Sequence, residues 1–189
     1  ENTMESFRSA IELGADMIET DIHLTQDGEL VLMHDDDVKR MTGVSELVRH
    51  MTLEEIQQLT VGDPTLAMHV PTLKEFLGLC APVKDLLLDL EIKVYAHTEG
   101  IERMKETVDK TIALCDTFDL QNRILFNSFD AAVLEYIHKK YGKRFLLHGY
   151  YPYHDIMRNI TIDPAEYLDY ACYWGTGETA KKCCEALLS

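Results

Sequence analysis

Glu19 and Asp21 stand two residues apart inside an apolar run, Met17-Ile18-Glu19-Thr20-Asp21-Ile22. Glu91 and Lys93 repeat the spacing in Asp89-Leu90-Glu91-Ile92-Lys93. Side chains of a strand alternate between its faces, so each pair projects to one side. Carboxylates on a buried face are unfavourable unless a cation compensates them. Three of them, Glu19, Asp21 and Glu91, suit a hard divalent ion (Mg2+, Ca2+ or Mn2+) better than Zn2+, which prefers His and Cys. The competing reading is a set of exposed strand-edge acids paired with Lys and Arg. Against it stand the apolar flanks, Met17, Ile18 and Ile22 around one pair and Leu86, Leu87, Leu88, Leu90 and Ile92 around the other.

His34 closes the next apolar stretch, just before Asp35-Asp36-Asp37. Imidazole titrates near neutral pH, so His34 reads as a general acid or base, or else as a structural histidine bonded to a neighbouring acid. Lys93 reads either as the salt-bridge partner of Glu91 or as a compact positive charge that clamps a phosphate. His23 shares the strand face of Glu19 and Asp21, in a supporting or solvent-exposed place. Asn127-Ser128-Phe129 ends another strand and offers one polar and one apolar substrate contact. Trp174 and Tyr150-Tyr151 suit a pocket wall or ordinary packing at the core or rim. His50, His69, His97, His138, His148 and His154 have no companion pattern and read as surface or structural residues.

These residues need elements to hold them. Apolar spacing predicts a helix over residues 1–14 and a strand over 16–24. Thr25-Gln26-Asp27-Gly28 predicts a hairpin turn into a strand over 29–33, because Asp-Gly accepts the positive φ of such turns. Antiparallel counting sets Thr25 near Leu30 and Asp21 near His34, which brings the histidine beside the carboxylates. Thr52 with Glu55, and Thr72 with Glu75, have the spacing of capping boxes and open helices in 38–60 and over 72–80. A strand over 86–92, a long helix over 98–118, a strand over 124–127 and a helix over 130–141 follow. Further strands are expected at 144–149 and 167–174, and a helix at 179–188. Strands alternating with helices give an α/β class with a parallel sheet. Acids at the C-terminal ends of successive strands suggest a (β/α)8 barrel, whose sites lie on that face.

The 189 residues suffice for one domain, 1–189, with a substantial core. A net charge of -15 argues against a nucleic-acid partner and against simple docking on anionic lipid. No apolar run reaches the roughly 20 residues that span a bilayer. Cys80, Cys115, Cys172, Cys183 and Cys184 lack C-x-x-C spacing and read as reduced thiols of a cytoplasmic protein. The chain opens on Glu1, so the expectation is that its natural start lies upstream; on a signal peptide the sequence is silent.

The ordered set of motifs resembles the glycerophosphodiester phosphodiesterase family. The resemblance is carried by Glu1-Asn2-Thr3 with Phe7 and Ala10, then Gly14-Ala15-Asp16-Met17-Ile18-Glu19-Thr20-Asp21 and Leu24-Thr25-Gln26-Asp27-Gly28. It continues through Leu32-Met33-His34-Asp35 with Arg40 and Thr42, Val70-Pro71-Thr72-Leu73, Glu91-Ile92-Lys93 and Asn127-Ser128-Phe129-Asp130. Each piece is common alone; their order across the first 130 residues is specific, while the last 60 agree only in strand and helix rhythm. The resemblance implies a phospholipase-C-like TIM barrel that hydrolyses glycerophosphodiesters, small-molecule substrates, to sn-glycerol 3-phosphate and an alcohol. It implies Glu19, Asp21 and Glu91 as ligands of one divalent ion, His34 as one of two catalytic histidines, and Lys93 as a phosphate contact.

The family's His-Arg-Gly strand, with its first histidine, would precede Glu1, and its late Trp-Thr-Val-Asn and Thr-Asp-x-Pro strands are not found. The expectation is therefore an incomplete barrel of about strands two to six, a fragment of a longer enzyme. The rival expectation is a shortened, inactive protein completed by a binding partner. A lysophospholipid substrate is the alternative activity. The sequence leaves the alcohol, the choice of ion and the oligomeric state open.

Overall fold

Each strand expected within the first 150 residues forms in the computed structural model, which describes residues 1–150, 159–172, 178 and 181. The chain runs through α1 (Met4–Glu12), β1 (Met17–Leu24), β2 (Leu30–Leu32), α2 (Lys39–Thr42), α3 (Leu53–Gln57) and α4 (Leu73–Cys80). It continues with β3 (Leu87–Ile92), α5 (Ala96–Glu99), α6 (Ile101–Thr117), β4 (Ile124–Ser128), α7 (Ala131–Tyr141), β5 (Leu146–Tyr150) and β6 (Tyr170–Cys172). The helix expected over 179–188 lies outside the described residues, Lys181 excepted, as do Tyr151, His154, Trp174, Cys183 and Cys184.

The strands form one six-stranded sheet in the order β2-β1-β3-β4-β5-β6. β1 pairs antiparallel with β2, and every other neighbouring pair is parallel. Parallel strands joined by helices along a right-twisting sheet make an arc of a (β/α)8 barrel. Among the described residues the arc does not close. The capping boxes expected at Thr52 with Glu55 and at Thr72 with Glu75 are both present and start α3 and α4. The long helix expected over 98–118 is two helices, α5 and α6. Gly100 separates them with φ +90 and ψ 152, a conformation outside the helical region that favours glycine.

The hairpin forms, but its register differs by one residue from the expected one. The Thr25 N–H donates to the Glu29 carbonyl at 2.9 Å and the Gly28 N–H to the Thr25 carbonyl at 3.1 Å, with Gly28 at φ +81. The loop is thus three residues, Gln26, Asp27 and Gly28, with glycine supplying the left-handed bulge. Ile22 then faces Leu32, and Met33, not His34, lies across from Asp21, donating its N–H to the Asp21 carbonyl at 3.1 Å. His34 is the residue beyond the pairing. Arg103 of α6 fastens the turn by donating to the Leu24 and Thr25 carbonyls at 2.6 and 3.0 Å.

Alternation along the strands separates two surfaces. Ile18, Ile22, Leu88, Leu90, Ile92 and Phe126 point outward and are buried with Phe76 and Leu77 of α4, Val108 and Ile112 of α6, and Val133 and Ile137 of α7. Each such side chain contributes roughly 1.5–3 kcal/mol through burial. Val31, Met33, Val38, Val48 and Ile56 form a second, smaller cluster under the 33–70 segment. The opposite alternate residues line the concave face in rows. Register places Asp21, Glu91, Asn127, His148 and Tyr170 side by side in one row across five strands. The row below holds Glu19, Asp89, Leu125 and Leu146. Nearer the N-terminal ends of the strands, a hollow of about 560 Å³ is lined by Met17, Leu87, Ile124, Leu125, Leu146 and Tyr170, with Asp89 and His148 on its wall.

Glu135 of α7 fastens the segment that leads into β6. Its carboxylate accepts from the Thr161 and Ile162 N–H groups at 2.6 and 3.1 Å, from the Thr161 hydroxyl at 2.8 Å, and from Lys139. Burial alone would raise its pKa, but these donors outweigh it and hold the carboxyl at about 2. A depressed folded-state pKa gives stability that is present above the ordinary carboxylate range and is lost as pH falls toward 2. Glu135→Gln should therefore cost about 1–3 kcal/mol at neutral pH, with the difference from wild type shrinking between about pH 5 and pH 2. Chemical denaturation at several pH values measures this. A pH-independent difference would remove the charge-assisted bonds as its cause.

Candidate metal and catalytic site

Parallel pairing of β1 with β3 puts Asp21 directly beside Glu91, and Glu19 beside Asp89 one row below. One ligand atom each from Glu19, Asp21 and Glu91 lies within 4.8 Å of the others. Asp21 and Glu91 are 4% and 5% exposed. Glu19 departs from the expectation of a buried acid: it sits where the concave face opens, and solvent reaches it. Crowding still marks it. Partial desolvation, then repulsion from Asp21, Glu91 and Asp89, pushes its carboxyl up to about 8. Burial likewise raises the Glu91 carboxyl despite the adjacent Lys93.

Lys93 forms the expected salt bridge to Glu91 and a second to Asp21. Its Nζ lies 2.7 Å from Glu91 Oε1 and 3.1 Å from Asp21 Oδ1, with the residue 8% exposed. Burial would lower its pKa, but Glu91 and then Asp21 outweigh burial and keep the ammonium charged. Asn2 donates from Nδ2 to Asp21 Oδ2 at 2.7 Å, while its Oδ1 accepts from the Thr20 hydroxyl at 2.7 Å. Both oxygens of Asp21 are therefore oriented, by Lys93 on one side and Asn2 on the other. The Tyr95 hydroxyl donates to Glu91 Oε1 at 3.4 Å. Three carboxylates on rigid strands, two of them buried and sharing a single ammonium, match the oxygen donors a hard divalent ion needs.

His34 stands at the rim, its side chain 54% exposed. Its Nδ1 lies 2.8 Å from Asp35 Oδ1. Asp35 accepts in turn from Arg40 Nε and Nη2 at 2.6 and 3.1 Å, and Arg40 also donates to Glu1. Arg40, ahead of His34, holds the Asp35 carboxyl at about 2. His23 corrects the solvent-exposed option: it is 3% exposed, and burial, followed by the Lys93 charge, pushes its imidazole down to about 3. A ring that cannot take a proton at neutral pH is a neutral supporting residue. Its Nε2 finds no partner among the described residues.

Asn127 is 2% exposed beside Glu91, and its Oδ1 has no partner among the described residues. The Phe129 ring stacks on Tyr150 with centroids 3.6 Å apart, and Lys93 Nζ lies 5.6 Å from the Phe129 centroid. The structure thus brings Glu19, Asp21, Glu91, Lys93, Asn127 and Phe129 to one mouth, with His34 on its rim. It adds residues the sequence reading passed over. Asp89, with His148 Nδ1 at 3.4 Å from its Oδ2, forms a polar pair on the concave face below the acids. Asp89 lies two residues before Glu91, so alternation alone could have flagged it. The roles of Asn2 and Tyr95 had no such signal, because they depend on where loops return.

The chain is similar to known proteins. A 134-residue stretch is 37% identical to a glycerophosphodiester phosphodiesterase of Caldanaerobacter subterraneus subsp. tengcongensis, covering 69% of this chain and 53% of that protein. The crystal structure of a glycerophosphodiester phosphodiesterase from Thermotoga maritima aligns with a TM-score of 0.62 at 29% identity, over 82% of this chain and 57% of the other. An Oleispira antarctica phosphodiesterase in complex with the product sn-glycerol-3-phosphate aligns with a TM-score of 0.70 at 25% identity, over 79% and 60%. The chain spans about half the length of the curated relatives it matches. The model of the glycerophosphoryl diester phosphodiesterase family matches residues 1–169, across both strands that carry the three acids and the loop that carries His34, and the chain belongs to that family.

Proposed function

We propose that the protein carrying this chain hydrolyses glycerophosphodiesters to sn-glycerol 3-phosphate and an alcohol. The observation that carries this reading is the meeting of Glu19, Asp21 and Glu91 within 4.8 Å, beside Lys93, in a chain of this family. A divalent ion held by those three carboxylates would supply positive charge to the phosphoryl oxygens. Mg2+, Ca2+ and Mn2+ all suit an all-oxygen donor set. Lys93 adds an ammonium that binds an anionic phosphoryl oxygen. His34 has Nδ1 committed to Asp35, which leaves Nε2 to give or take a proton at a substrate oxygen. Asp35, braced by Arg40, holds the ring orientation. Asn127 offers a polar contact, and the face of Phe129 an apolar one, to the glycerol or alcohol moiety.

The product complex of the Oleispira protein supports this substrate class. No helix among the described residues is long and apolar enough to cross a membrane. The unpaired Cys80, Cys115 and Cys172 support a cytoplasmic setting. The apolar hollow lies toward the N-terminal ends of the strands, not at the mouth, so it does not favour a lysophospholipid acyl chain there.

His34→Ala should lower kcat for glycerophosphocholine by about 10²–10⁴-fold with the fold intact. An assay with added divalent ion and a circular dichroism control decides this; full activity in the variant would remove His34 from the chemistry. Calorimetric titration with a divalent ion tests the carboxylate trio. Asn2→Ala, which removes only an outer partner of Asp21, should weaken affinity by about 10–100-fold. Glu19→Gln, which removes a ligand, should weaken it further. Unchanged affinity in Glu19→Gln would exclude the trio as the ion's site.

A further inference from the structure

Lys93 occupies an unusual place for a phosphate contact. Its ammonium bridges the two buried acids, 3.1 Å from Asp21 Oδ1 and 2.7 Å from Glu91 Oε1. The other Asp21 oxygen is taken by Asn2 at 2.7 Å, and Tyr95 shares Glu91 Oε1 at 3.4 Å. Lys93 is thus a cation that both carboxylates hold. A divalent ion ligated by Asp21 and Glu91 would put two further positive charges beside that ammonium, in a low-dielectric setting that screens repulsion poorly. An ion ligated through Asp21 Oδ1 or Glu91 Oε1 would take an oxygen that the ammonium holds, and repulsion disfavours keeping both contacts unchanged.

A second place for the ammonium is within reach. Nζ already lies 5.6 Å from the Phe129 ring centroid, and that ring is fixed by its stack on Tyr150. An ammonium over an aromatic face keeps part of its stabilisation. That face lies on the side of the mouth where Asn127 and Phe129 would meet substrate. We propose that Lys93 and the divalent ion exchange on Asp21 and Glu91. Ion binding moves the ammonium off at least one carboxylate and turns it toward Phe129 and the incoming phosphate, so the phosphate contact is assembled only in the ion-loaded protein. The inference rests on the reading of Glu19, Asp21 and Glu91 as the ion's ligands.

The test is calorimetric titration of EDTA-treated protein with MnCl2, comparing wild type with Lys93→Met and Lys93→Gln, alongside thermal unfolding with and without Mn2+. Removal of the competing ammonium should tighten Mn2+ binding by about tenfold or more in both variants and enlarge the Mn2+-induced rise in Tm. Equal or weaker Mn2+ affinity in either folded variant would overturn the exchange, because Lys93 would then be holding the ligands in place for the ion. Absence of saturable Mn2+ binding in all three proteins would overturn the metal reading itself. Wild type gives an independent check. A crystal structure with Mn2+ bound should show Nζ beyond hydrogen-bond distance of Asp21 Oδ1 or Glu91 Oε1; retention of both contacts overturns the proposal.

Discussion

The site depends on one electrostatic constraint, the crowding of carboxylates that parallel pairing of β1 and β3 enforces. Register puts Asp21 next to Glu91, and both are nearly inaccessible to water. At the 4.8 Å that bounds their separation, two such charges repel by about 3 kcal/mol at an effective dielectric of about 20. Neither strand can slip to relieve this, since a one-residue shift would turn Ile22 and Ile92 into the lumen and the acids into the apolar layer. The compensation must come from a cation, and Lys93 supplies it. Glu19, at the solvent edge, meets the same crowding by holding its proton more tightly.

The rest of the fold follows from keeping that register. Outward-facing Ile18, Ile22, Leu88, Leu90 and Ile92 are almost fully buried against helices, so the strands are locked from outside while the polar work is done inside. Toward the N-terminal ends the concave face becomes apolar, yet Met17, Leu87, Leu146 and Tyr170 remain between 43% and 56% exposed. In a closed barrel such positions fill one another across the axis. Here the arc is open among the described residues, and these side chains stay exposed.

Much of this was legible in residue order. Period-two and period-3.6 patterns placed the strands and helices, and Thr52 with Glu55 and Thr72 with Glu75 marked two helix starts. The acids were visible because a carboxylate inside an apolar strand is too costly to keep there without a cation to meet it. What escaped were quantities set by three-dimensional return paths. The Asp-Gly turn was readable, but whether its loop held three residues or four depended on Gly28 taking the left-handed bulge, and that choice moved Met33 opposite Asp21. Glu19 looked buried because its neighbours are apolar, yet it lies where the concave face opens. The contact of Asp89 with His148 needs the relative register of β3, β4 and β5, which no local pattern encodes.

The two halves of the site are positioned by different physics. Glu19, Asp21, Glu91 and Lys93 project from paired strands or the residue just after one, so backbone hydrogen bonds across the sheet fix their spacing. His34 follows the last paired residue of the hairpin and is placed by a chain of ion pairs, His34 to Asp35 to Arg40 to Glu1. Exposed ion pairs contribute only about 0–1 kcal/mol each. Bidentate binding of Asp35 by Arg40 adds direction more than energy. The carboxylates are therefore fixed by the sheet, while the histidine is held by side-chain contacts at the rim. The carboxylates repel one another, so their spacing depends on the sheet that holds them. Strand pairing thus positions the acids, and side-chain ion pairs position the histidine.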